Sequence, residues 1–263
     1  MGSREPTRDH EHEDAMLFSA HANIAFVHYP KTAGTSIVRW FRQTFPDAEY
    51  VAPENVHLPV RHGLQRLGLA GPGPAAVSPQ PAGRRGSLRW MSRLRLADAA
   101  PRTRPELRII GVIREPFEML VSLFEYWRRC SFQEEPKDPL IRLARTGTFR
   151  EFLVLGVTAR TLANYEMFFD LGGPAWPATR LLDFSSLEAA LAETCRQIGL
   201  EASVRLDRAN AAPAFGRNLQ SYRDEAGALL ADVHTYFRWY YEHGIHEMIS
   251  GPTAAPQTRR LAA

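Results

Sequence analysis

Short apolar runs alternate with helically spaced ones along this chain. Ile24–Val27 (IAFV), Arg108–Ile113 (RIIGVI) and Thr179–Phe184 (TRLLDF) are continuous enough in apolar residues to read as strands buried in a parallel sheet. Between them the period changes. Ile37, Trp40, Phe41 and Phe45 recur at helical spacing until Pro46 stops them. A short strand is expected over Glu49–Ala52, then a helix from Leu58 to Leu69 with Pro59 near its start and Gly68 or Gly71 closing it. Phe117–Arg129 reads as a helix with Pro116 at its first turn. Phe149–Leu155 and Ala159–Asp170 read as two helices separated by Gly156. A further helix runs from Ser185 or Ser186 to about Ile198 and ends at Gly199. A long helix, about Leu219 to Glu242, carries Tyr222, Leu229, Leu230, Val233, Tyr236, Phe237 and Tyr240 on one side. Strands alternating with helices predict a single-domain α/β fold, a mostly parallel sheet flanked by helices. There is no internal repeat.

Composition narrows the class. Of 263 residues, 44% are hydrophobic, enough for a sizeable core. Only two cysteines occur, Cys130 and Cys195, which suits a reducing compartment and leaves a single bridge open. The start, MGSREPTRDHEHED, is charged and has no apolar signal core, and no run is long enough to span a membrane, so the expected location is the cytoplasm. Residues 1–20 and 251–263 are expected to be disordered tails around a domain of residues 21–250. Residues 71–105, dense in Pro, Gly and Arg, are expected to be a flexible insert in it. Net charge is +3, but from Arg84 to Arg108 eight arginines face only Asp98 and Glu106. That stretch is either a solvated loop or a docking surface for an acidic substrate or an anionic membrane face.

Two segments carry chemistry. In the first, HYPKTAGTS, an apolar strand runs into a turn that opens a helix. An anion there would meet the backbone N–H groups of Ala33, Gly34, Thr35 and Ser36 at the positive end of the helix. Gly34 lets the backbone approach closely, and the Thr35 and Ser36 hydroxyls can donate. Lys31 is one of only two lysines among the 32 basic side chains, so the position favours a compact ammonium over a planar guanidinium. The lysine precedes the glycine and no Gly-Lys-Ser/Thr follows, so this is not a Walker motif. In the second segment, VIREPFEMLVSLFEYW, Arg114 stands where an apolar strand ends and Ser122 lies inside the following helix. They can bracket one anion only if the strand–helix turn folds back. The simpler reading pairs Arg114 with Glu115 or Glu118 and lets Ser122 bond its own helix.

Together the two segments resemble the PAPS-dependent sulfotransferases, enzymes that move a sulfuryl group from 3′-phosphoadenosine-5′-phosphosulfate to an acceptor hydroxyl or amine. The family's first motif is matched by His28, Pro30, Lys31, Thr32, Gly34, Thr35 and Ser36, its second by Arg114, Pro116, Phe117 and Ser122. The likeness extends more weakly to Asn210 and the terminal aromatic helix. It is closest to the carbohydrate-modifying branch. It implies a P-loop-like sheet, a Thr32–Ser36 loop that holds the 5′-phosphosulfate, and a 3′-phosphate held by Arg114 and Ser122. Arg217, on a loop, is a further candidate for the 3′-phosphate, with an ordinary exposed arginine the alternative. The family often carries an acid around Phe184–Leu187, where this chain has Ser185-Ser186.

The reaction implied is in-line transfer, with Lys31 stabilising the leaving oxygen and a histidine as general base. His57, which follows the short second strand, is the first choice. His62, His28 and Glu54 are weaker candidates. Trp90, Trp127, Trp176 and Phe132 could stack on an adenine or sugar, or simply lie in the core. No metal and no nucleic-acid partner are expected. The acceptor implied is a saccharide or a glycosylated or lipid-linked metabolite, and the oligomeric state stays open. Two other classes remain: a nucleotide kinase or other NTPase on the same scaffold, and a non-catalytic polyanion-binding protein.

Overall fold

Three parallel strands make the centre of the molecule: β2 (Ile24–Val27), β4 (Arg108–Ile113) and β5 (Thr179–Asp183), with β1 (Leu17–Ser19), β3 (Glu49–Tyr50) and β6 (Met248–Ser250) outside them. The structure is a computed structural model. It describes residues 16–52, 57–69, 107–131, 136–171, 179–200, 204–207 and 217–243, and the backbone of 248–250. The six strands lie in the order β3-β1-β2-β4-β5-β6. The register pairs Val27 with Gly111 and Ile113 with Asp183, so the central strands end together at one edge.

The sheet is mixed, not mostly parallel: β1 is antiparallel to β2 and β3, and β6 is antiparallel to β5. Expecting a tail as far as residue 20 was therefore wrong at its inner end. Met16 is fully buried and Leu17–Ser19 adds a strand. The other tail and insert assignments, at 1–15, 71–105 and 251–263, lie outside the described residues.

Alternation along β4 sorts the core into two layers. Ile109 and Ile113 face one side, which is packed by helices α3 (Pro116–Arg129), α5 (Phe149–Leu153), α8 (Leu219–Ala226) and α9 (Leu229–Tyr236). Ile110 and Val112 face the other, packed by α1 (Gly34–Thr44) and α7 (Leu187–Gln197). Burying each such side chain stabilises the fold by about 1.5–3 kcal/mol. The remaining helices are α2 (Val60–Arg66), α4 (Pro139–Thr146), α6 (Tyr165–Phe169) and α10 (Arg238–His243).

Two helix expectations are corrected. Gly156 does not separate two helices. The chain runs through it as a π turn, Val154–Thr158, in which Ala159 N–H donates to Val154 O (2.9 Å). The long C-terminal helix is three shorter ones. Gly227, at φ 53°, stops α8 in a conformation few other residues adopt, and Phe237 separates α9 from α10. Cys130 and Cys195 are unbridged. Among the described residues no helix is long and apolar enough to cross a membrane.

Candidate functional site

The loop after β2 is held under strain. Lys31 and Ala33 both lie in the left-handed region, at φ 61° and 63°. That costs about 1–2 kcal/mol for each residue with a Cβ. Buried contacts enforce it. Thr32 is fully buried and its Oγ1 donates to Tyr29 O (2.7 Å). Tyr29 donates its own hydroxyl to Ala163 O (2.5 Å) and packs edge-on against Tyr165 and Phe168. Gly34 is required by contact rather than by φ. A Cβ there would stand 1.8 Å from His28 Nε2.

This turn delivers an uncapped helix end. Ile37 N–H donates to Ala33 O (3.1 Å), so the helical ladder of α1 begins there and the amides of its first turn point out of the helix end. Ala33 offers no side-chain cap and the first turn holds no acid. Helices α3, α4, α5, α6 and α8 are capped by Glu115, Asp138, Thr148, Asn164 and Asn218, whereas α2, α7 and α9 share with α1 the lack of a side-chain cap. With Lys31 beside it, the α1 terminus is an electropositive cradle.

Along α3, Glu118, Ser122 and Tyr126 follow one another at i+4 and form one stripe. Arg114 folds back from the end of β4 along this stripe. Its Nε and Nη2 lie 3.3 and 3.1 Å from Glu118 Oε2, and its guanidinium stands 4.7 Å over the Phe184 ring. From the loop, Lys31 Nζ reaches over the Tyr126 ring, 3.9 Å from its centre. Ser122, largely buried, sits on the stripe between these two cations. Glu115 ties the start of α3 to α10. It accepts from Glu118 N–H through Oε2 and from the Tyr241 hydroxyl through Oε1, both at 2.7 Å. Burial, and then this bond to Glu115, hold the Tyr241 hydroxyl protonated far above the ordinary range. The backbone of Arg114 is clasped by Tyr165, whose hydroxyl donates to Arg114 O (2.6 Å) and accepts from Arg114 N–H (3.2 Å).

His57 also reaches this edge. Its ring packs edge-on against His28 at 4.9 Å, and its Nδ1 lies 3.4 Å from His28 O, immediately after β2. His62, on α2, is exposed to solvent. Trp127 packs against Phe152 in the core. Glu54, Trp90, Phe132, Trp176 and Asn210 lie outside the described residues.

Three expected contacts stand differently. The Thr32 hydroxyl is turned inward to Tyr29 and serves the loop, not a ligand. The Ser36 hydroxyl is engaged by Asp207 O at 2.6 Å. Arg217 is placed with Phe124 and Arg128. Those two side chains lie about 200° around α3 from Tyr126, on the opposite face of the helix. At the Ser185-Ser186 turn an acid is nevertheless close. Asp183 ends β5 and accepts from Ser185 N–H (3.0 Å) and Oγ (2.5 Å). Sequence reasoning missed Tyr126, Phe184 and Tyr165. Of these only Tyr126 left a signal, its i+4 spacing from Ser122.

Among the described residues no three His, Cys, Asp or Glu side chains gather as a metal site would require. In comparisons with protein-family models, curated proteins and solved structures, nothing matches this chain, so the reading of the site rests on its own residues.

Proposed function

We propose that this chain is a PAPS-dependent sulfotransferase with a P-loop-like nucleotide site, acting on an acceptor hydroxyl. The observation that carries the reading is the α3 stripe: Arg114 folded back on Glu118, Lys31 over Tyr126, and Ser122 between them. Arg114 pairs with Glu118, the simpler of the two readings the sequence offered, one helical turn before Ser122, so a 3′-phosphate would share or displace that pair. Two cations and an uncapped helix end at the edge of parallel strands suit a ligand with two separated anionic groups.

The donor supplies an activated sulfuryl group. The α1 amides and Lys31 would hold its phosphosulfate end, and Arg114 with Ser122 its 3′-phosphate. The acceptor oxygen forms its bond to sulfur as the bridging S–O bond breaks. The electron pair leaves on the phosphate oxygen, where Lys31 places positive charge. His57 takes the acceptor proton. A saccharide or glycosylated metabolite as acceptor follows from the resemblance. A cytoplasmic location belongs to the same proposal, in keeping with two unbridged cysteines.

The test is calorimetric titration with adenosine 3′,5′-bisphosphate in EDTA, with AMP, ADP and ATP as controls. Binding selective for the bisphosphate and lost in Arg114→Ala is expected. Absence of binding, or preference for ATP once magnesium is restored, overturns the proposal in favour of a nucleotide kinase.

A further inference from the structure

We infer that Tyr126 is a positioning residue for Lys31: its ring face holds the ammonium in place beside the loop after β2 before a ligand arrives. The inference deepens the proposed function and rests on one part of it, the assignment of that loop to a linked pair of oxyanions.

Lys31 is anchored at both ends. Its backbone is set by the strained turn, at φ 61°, which Thr32 secures by donating to Tyr29 O (2.7 Å). Its far end, Nζ, stands 3.9 Å from the centre of the Tyr126 ring, well inside the range at which a ring face attracts a cation. One anchor belongs to the loop and the other to the last turn of α3, so the side chain bridges two elements. Tyr126 lies one turn beyond Ser122 on the same face of α3, which keeps the held ammonium on the ligand side.

The core does not require an aromatic at this position. Tyr126 is 45% exposed, whereas Phe117 and Phe124 on the same helix are buried. Neither layer of the core includes it. Packing therefore gives no reason for a ring here, and the lysine over its face does.

A ring suits the task better than a carboxylate. A carboxylate would hold the ammonium by cancelling its charge, as Glu118 does for Arg114 at 3.1 Å. The ring quadrupole fixes the ammonium and leaves its charge available to an incoming anion. A lysine already ordered also surrenders less rotamer freedom at binding than a mobile one. The choice of lysine fits as well. A guanidinium would stack flat and aim its donors along the ring plane, whereas an ammonium over the ring keeps N–H groups directed away from it.

The composition supplies the probe. Lys31 and Lys137 are the two lysines of the chain, so isotopic labelling at lysine Cε gives two signals, assigned by Lys137→Arg. Lys137 is exposed and serves as the reference. In the free chain the Lys31 Hε protons are expected upfield of those of Lys137, shifted by the Tyr126 ring current. The shift should persist in Tyr126→Phe and vanish in Tyr126→Leu, and both variants should melt at the parent's temperature. Calorimetric titration with inorganic pyrophosphate, a stand-in for the phosphosulfate end, should show binding weaker by about two- to fivefold in Tyr126→Leu and recovered in Tyr126→Phe. A Lys31 signal at the Lys137 position in the parent overturns the inference. So does pyrophosphate that fails to bind the parent, binds Tyr126→Leu as tightly or more tightly, or is not recovered by Tyr126→Phe. Adenosine 3′,5′-bisphosphate binding to the parent is scored separately: its absence beside the expected pyrophosphate result refutes the nucleotide reading and leaves the role of Tyr126 standing.

Discussion

Glu118 occupies the guanidinium that a 3′-phosphate would need, so removing its charge should strengthen nucleotide binding. In Glu118→Gln the ion pair to Arg114 at 3.1 Å is lost. An exposed i,i+4 pair is worth about 0.3–0.5 kcal/mol, and this one is near that end because the Glu118 side chain is 42% exposed. A second effect acts in the same direction. Two anions gripping one guanidinium sit about 6 Å apart, and repulsion between a carboxylate and a phosphate dianion at that distance in water is roughly 1.4 kcal/mol. Together these predict adenosine 3′,5′-bisphosphate binding tighter by about 1–2 kcal/mol, roughly 5- to 30-fold. Stability should move the other way. Glu118 is an acid in the first turn of α3, and losing its charge there removes about 0.3–1 kcal/mol, or about 1–3 °C in Tm. Calorimetry on both proteins at low salt, with thermal melts beside it, reads both signs. Unchanged or weaker binding in Glu118→Gln would refute the assignment of Arg114 to the phosphate.

Gly34→Ala sets helix propensity against contact. Propensity favours alanine by about 1 kcal/mol, but a Cβ 1.8 Å from His28 Nε2 must displace that ring, at a cost of roughly 1–3 kcal/mol. Thermal melts should show net destabilisation, with stability recovered in Gly34→Ala/His28→Ala, and a Gly34→Ala protein more stable than the parent would contradict the packing. Asp47 accepts from Ser19 Oγ (2.8 Å) and His21 N–H (2.8 Å). Desolvation alone would raise its carboxyl, yet these bonds hold it below the ordinary value. A carboxyl depressed by folding contributes stability above its unfolded pKa, about 4, and loses it as pH falls through the folded value. The Tm gap between parent and Asp47→Asn should therefore be present near neutral pH and close below about pH 4, and a constant gap would show that the carboxylate contributes nothing.

The strands β2, β4 and β5 and the helices α1, α3 and α7 were legible because each is specified locally, by a continuous apolar run or by helical spacing between clear stops. β1 was hidden because its strand is only Leu17–Ser19, next to a charged stretch, and its burial comes from pairing with β2. Gly156 and Gly227 look alike in sequence. One sits inside a π turn and the other ends a helix, a difference set by what each packs against. At the site, the pairing of Arg114 with Glu118 was already open to sequence reasoning as an i,i+4 option. The placement of Arg217 was not, because its partner Glu225 selects the opposite face of α3 through tertiary contacts.

The two motifs are brought into register by a residue that belongs to neither. Tyr165, at the start of α6, packs its ring 4.7 Å from Tyr29, on which Thr32 and the strained loop depend, and its hydroxyl holds both backbone groups of Arg114. Burial keeps that hydroxyl protonated, so the donation to Arg114 O persists across the working pH range. Lys31 and Arg114 thus converge on α3 because one buried tyrosine fixes the loop on one side and the strand end on the other. The azimuth of α3 is set in turn by its opposite face, where Phe117 and Phe124 pack against Phe149, and Phe124 also against Phe152 and Tyr222. A helix turns about 100° per residue, so a core that let α3 rotate by one position would swing Ser122 out from between the two cations. The geometry on which the proposed chemistry depends is therefore a property of aromatic packing, and substitutions in that packing should disturb ligand binding before they unfold the chain.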